Sequence, residues 1–105
     1  MAQIVLHSPR MMLRCPFCGS DGYTFLGLKF HVYKVHISAK CAVCGEEFKH
    51  LYAHVYHKAI SEMRGEAYRP HAILWALMPN HHSRRRDREF LRACVKYTIR
   101  ACAVP

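Results

Sequence analysis

The chain has 105 residues, with 16 Lys and Arg against 7 Asp and Glu and a formal charge of +9, which bounds it to one small domain or a few short modules and argues against a large enzyme. A hydrophobic share of 51% argues against global disorder, and the longest uncharged apolar run, Ala72 to Met78, is far short of the roughly 20 residues a membrane-spanning helix needs. The positive balance favours an anionic partner, because each phosphate a protein neutralises releases counterions.

In chain order, segment 1–13 comes first. Its apolar stretch is broken at His7 and Pro9, too early for the core of a secretory signal, and Gln3 to Leu6 is expected to form a short edge strand. An intracellular location is therefore expected, in the cytoplasm of a prokaryotic host or in a nucleus if the source is eukaryotic. Of the six cysteines, four form two Cys-x-x-Cys pairs, Cys15/Cys18 and Cys41/Cys44, each followed by histidines. Without an export signal, that pattern favours metal ligation over disulfides.

Segment 14–37 holds the spacing Cys15-x2-Cys18-x12-His31-x4-His36. A tetrahedral zinc site takes two thiolates from a turn and two imidazoles from a helix. The sequence CPFCG supplies the turn, stiffened by Pro16 and given a positive-φ residue by Gly19. A helix from about Phe25 would carry both histidines, with a distorted last turn to absorb the x4 gap. Leu28, three residues before His31, would face inward with Tyr23 or Phe25. These residues resemble the two-cysteine, two-histidine (C2H2) zinc-finger family. The resemblance implies a ββα unit around zinc, with its helix often docked in the DNA major groove. One departure is that Gly22 stands where the family places an aromatic, and Tyr23 follows it.

Segment 40–68 reads CAVCGEEFKHLYAHVYH from Cys41 to His57, with Phe48 and Leu51 at the finger family's apolar positions. Its interval Cys44-x9-His54 is three residues shorter than in the first unit. In this it resembles the short prokaryotic finger of Ros-type regulators and the fingers of small archaeal and archaeal-virus proteins. Cys41, Cys44 and His54 are expected ligands. His57 is preferred for the fourth place, with a pair using His50 as the alternative.

Base contacts in the family come from helix positions that here hold Thr24, Gly27 and Phe30, and by an equivalent count Glu47, His50 and Ala53. The first three lack the side chains that make bidentate base contacts, and the connection Ile37 to Lys40 is short, so the two units are expected to pack together. Lys29, Lys34, Lys49 and His50 are candidate nucleic-acid contacts. Phe30 and Tyr33 are read as packing residues.

Segment 69–105 is expected to be helical and basic. The second finger's helix should run on to Tyr68 and end before Pro70. HAILWALM should form a short buried helix around Trp75. A last helix, capped by Ser83, should reach about Ala101, with Phe90, Leu91, Cys94, Val95, Thr98, Ile99 and Cys102 on one face. That face would meet Trp75 or a second copy of the chain. Cys94 and Cys102, about 12 Å apart along such a helix, cannot pair with each other. Arg84, Arg85, Arg86 and Arg88 cluster at its start, where the helix dipole disfavours cations, which suggests phosphate binding.

The sequence thus points to a small, metal-stabilised α+β chain: two ββα zinc fingers, two Zn²⁺ and a helical C-terminal extension. The expected function is double-stranded DNA binding in transcription regulation. The alternatives are a protein-interaction module with structural zinc, or RNA binding. No enzyme activity or small-molecule substrate is expected, because four protein ligands at each metal leave no open position.

Overall fold

A computed structural model of the chain describes residues 12–79 and 85–104. It is a small α+β structure with a two-stranded sheet and four helices: β1 (Leu13–Arg14), β2 (Asp21–Tyr23), α1 (Phe25–Val35), α2 (Leu51–Met63), α3 (Pro70–Leu77) and α4 (Arg85–Cys102). The strand expected at Gln3 to Leu6 and the Ser83 cap lie outside the described residues.

β1 and β2 are antiparallel, with Leu13 opposite Tyr23, Arg14 opposite Asp21, and an irregularity between the two pairs. The chain then enters α1 through Thr24, whose hydroxyl accepts a hydrogen bond from the Gly27 N–H at 3.1 Å, a capping contact that satisfies one orphan donor of the first turn. At the other end, the Val32 carbonyl accepts from both His36 N (2.8 Å) and Ile37 N (3.1 Å). This loosened last turn is how the helix accommodates the x4 spacing between its histidines.

α2 is shorter than its apolar pattern suggests. It stops at Met63 and not near Tyr68, because Arg64 N and Gly65 N turn back to the carbonyls of Ser61 and Glu62. The chain reverses there, and Pro70 starts α3 at a position where its missing N–H is harmless.

α3 is the centre of the molecule. Every residue from His71 to Leu77 is buried; it packs mainly against α2 and α4, and also touches α1. The apolar face expected of α4 is present, with Cys94, Thr98 and Cys102 buried. Within this chain it is occupied by contacts with α3 and β1. Two hydrogen bonds tie the layers: Tyr56 Oη donates to Asp87 Oδ1 (2.9 Å), and Arg69 N donates to Tyr97 Oη (3.1 Å). At the end of α4, Ala103 bridges to Leu13 and Val104 N donates to the Met12 carbonyl at 2.9 Å. The last residues therefore extend the β1–β2 edge, and a single core runs from Leu13 through α3 to Cys102. No described helix is long and apolar enough to cross a membrane.

Candidate metal centres

Both Cys-x-x-Cys segments fold into the same tight knuckle. Cys15 N donates to the Ser20 carbonyl (2.7 Å) and Gly19 N to the Cys15 carbonyl (2.8 Å); Cys41 N and Gly45 N repeat this with Glu46 and Cys41 at 2.9 and 2.8 Å. Gly19 and Gly45 have φ of 83° and 78°, a region where a side chain would be strained. The turn aims each pair of sulfurs at a helix.

In the first centre, Cys15, Cys18, His31 and His36 bring their ligand atoms within 4.8 Å of one another. Cys15 Sγ lies 3.5 Å from His36 Nε2, and Cys18 Sγ lies 3.3 Å from His31 Nε2. Zinc–sulfur and zinc–nitrogen bonds of about 2.3 and 2.0 Å, meeting at a tetrahedral angle, would separate S and N by about 3.5 Å. The donor set and its spacing therefore fit a zinc ion, and all four residues are those read from the sequence.

The supports of this centre form a relay. His31 Nδ1 lies 3.1 Å from Tyr23 Oη; with Nε2 on a metal, Nδ1 would carry the proton and donate to that hydroxyl. That hydroxyl is 3.2 Å from Ser20 Oγ, which is itself 3.1 Å from Cys18 Sγ. One hydrogen-bonded chain thus joins two ligands, and such partners fix ring orientation and ligand basicity. Tyr23 also stacks on the His31 ring (4.9 Å, 29°); displaced by one position, it fills the expected aromatic place. The Ser20 hydroxyl and N–H, then the His36 and His31 imidazoles, hold the exposed Cys18 thiol down to about 5. Burial pushes the Cys15 thiol up.

The second centre gathers Cys41, Cys44, His54 and His71, again within 4.8 Å. Cys44 Sγ is 3.5 Å from His54 Nε2 and 3.2 Å from His71 Nε2. Phe48 stacks on His54 (3.7 Å, 13°), as Tyr23 does on His31. Burial raises the Cys44 thiol, and burial, followed by the nearby His71, lowers His54.

The fourth ligand corrects the sequence reading. His57 is exposed on α2 and is not among the gathered side chains. It stands three residues past His54, rotated about 60° around the helix, and its ring does not join the cluster. His50 is exposed ahead of α2 and is also outside the group. The fourth corner is filled by the first turn of α3, in the segment read as C-terminal extension. Glu62, near the end of α2, makes this work. Its Oε1 accepts from the backbone N–H of His71 (2.7 Å) and of Ala72 (3.0 Å), capping α3 in place of the absent Arg69 side-chain cap. Its Oε2 accepts from His71 Nδ1 at 2.6 Å, which leaves Nε2 free to face the sulfurs. A histidine seventeen residues beyond His54 does not stand out by spacing. The available signal is His71 as the only polar residue in the run His71 to Met78, since a buried imidazole requires a partner.

The residues read as nucleic-acid contacts sit on three parts of the fold. Lys29 and Lys34 are on α1, Lys49 and His50 precede α2, and Arg85, Arg86 and Arg88 begin α4; Arg84 lies outside the described residues. The arginine cluster is less unbalanced than its sequence suggests. Arg85 pairs with Glu89 at 3.0 Å, and Arg86 approaches Asp87 at 3.9 Å. Further along the outer face of α4, Arg92, Lys96 and Arg100 are exposed one helical turn apart.

Comparisons of the chain with protein-family models, curated proteins and solved structures found no match.

Proposed function

We propose that the chain is a C2H2-type zinc-finger protein holding two structural Zn²⁺, and that it binds double-stranded DNA chiefly through its phosphates, in a transcription-regulating role. The observation that carries the nucleic-acid reading is the outer face of α4. Its inner face is buried, while Arg92, Lys96 and Arg100 stand exposed at successive turns, about 6 Å apart, in a chain of charge +9. Arg88, one turn earlier and also exposed, continues that spacing. Zinc would supply folding free energy at both centres, through Cys15, Cys18, His31 and His36 and through Cys41, Cys44, His54 and His71.

Helix α1 does not support triplet-by-triplet base reading. Thr24 is engaged as a cap, Gly27 has no side chain, and Phe30 is apolar. Phosphate contacts position a protein on a duplex but carry little sequence information, so modest sequence preference is expected.

The test is affinity for a duplex measured across salt concentrations. Removing one cation from a phosphate flattens the slope of log K against log salt by about 0.9. Changing Arg92, Lys96 and Arg100 together to Ala should flatten it by about 2 to 3 and weaken all sequences alike. Undetectable duplex binding at low salt, or a slope the triple change leaves unaltered, would contradict the proposal. Tighter binding to single-stranded RNA of equal length would redirect it to RNA.

A further inference from the structure

Helix α1 carries an apolar surface that neither metal centre nor the α4 stripe uses. Leu26, Phe30 and Tyr33 recur at spacings that place them on one face, and they are 63%, 62% and 55% exposed. Sequence alone makes Phe30 and Tyr33 packing residues, yet all three line an open groove of about 290 Å³ whose other wall is Leu77 and Pro79 at the end of α3. The inward face of α1 is already filled by Leu28 and Val32, so this side has no core left to join. Single exposed apolar residues are ordinary, but several aligned on a groove mark an interaction site.

The charge around the groove selects its occupant. Lys29 lines it, Lys34 follows on the same helix, and α1 contains no acidic residue. We propose that the groove docks an amphipathic helix of a partner protein, inserting apolar side chains between α1 and the end of α3 and setting acidic residues against Lys29 and Lys34. Apolar anchors at helical spacing laid into a groove are a recurring recognition mode, and flanking charge selects among partners. A second copy fits less well, because pairing the same face of two chains brings two lysine-lined grooves together, each on a chain of +9. Single-stranded nucleic acid also fits less well. Phe30 and Tyr33 present rings, but Leu26, Leu77 and Pro79 offer no stacking plane between or opposite them, and one lysine in the lining does not make a track for a phosphate backbone.

The experiment uses the zinc-loaded full chain and a phage-displayed library of random peptides of about 16 residues, roughly four helical turns. Enriched peptides should carry apolar residues at i, i+3 or i+4 and i+7, flanked by Asp or Glu. Phe30→Glu should weaken them about tenfold or more, and Lys29→Glu should shift the preference toward basic flanks. Zinc content and circular dichroism of each variant establish that it is folded, and Leu26→Ser provides a second change in the same wall. Duplex affinity of Phe30→Glu should stay within about twofold of the parent, which separates this surface from the α4 stripe. Enrichment of basic or apolar-free peptides, peptide binding that ignores Phe30→Glu, Leu26→Ser and Lys29→Glu alike, competition by a single-stranded oligonucleotide, or a homodimer abolished by Phe30→Glu would each overturn the proposal.

Discussion

Glu62 joins two jobs that are usually separate. It caps α3 through the N–H groups of His71 and Ala72, and it orients the His71 ring through Nδ1. Partners of this kind typically contribute 10- to 100-fold in metal affinity. Glu62→Ala should therefore weaken zinc at the second centre by about that factor, read by competition with a chromophoric chelator, and should leave the first centre unchanged. His71→Ala should remove the second site, whereas His57→Ala should leave both affinities as they are; the reverse pattern would restore His57 as a ligand. The two remaining cysteines are free thiols with a different character. Burial pushes Cys94 up to about 12 and Cys102 up to about 11, from an ordinary value of 9.0. A folded-state pKa above the unfolded one contributes stability that is complete below about pH 9 and is lost as pH rises toward 11 and 12. Stability of the zinc-loaded chain should therefore fall across that window, and Cys94→Ala should flatten the fall, in denaturation midpoints followed against pH. Neither thiol should react with iodoacetamide at neutral pH while the fold is intact.

Among the elements, α3 sets the architecture. It is short, buried from His71 to Leu77 and in contact with the other three helices, so truncating it should be costly where truncating α1's outer face is not. Leu74→Ala, at 1% exposure, should cost about 2–5 kcal/mol, while Phe30→Ala should change stability by less than about 0.5 kcal/mol; thermal or denaturant unfolding of zinc-loaded variants checks both. How far the sequence reveals these elements follows from how local their causes are. The first centre is legible whole, because its knuckle, apolar positions and histidines lie within Cys15 to His36 and each has a local cause. The buried helix at HAILWALM and the apolar face of α4 are legible from composition and period. The second centre is legible only to three ligands, because the fourth depends on a chain reversal after Met63 that no short-range spacing encodes. The groove on α1 escapes the sequence for a similar reason. A Phe and a Tyr near a ligand look like core until one knows that Leu28 and Val32 have filled it.

For the whole molecule, the interlocking of the two centres matters most. The first is closed by the end of α4, through Ala103 against Leu13 and Val104 against Met12. The second binds the knuckle at Cys41 to both α2 and α3. One core runs between them, so the chain should unfold as a unit and not as two independent fingers. A structural zinc site contributes about 10–16 kcal/mol in small finger peptides, comparable to the whole net stability of a typical domain. Acidification should release the metal, since protons compete for the thiolates and imidazoles, and helical signal should be lost together with it. The most direct test is to count zinc in the purified chain and then withdraw it with a chelator while following circular dichroism. Two equivalents per chain are expected, at most one in His71→Ala, with the helical signal of the parent collapsing in a single transition as the metal leaves. Well under two equivalents, or a helical signal that survives complete metal removal, would contradict the account.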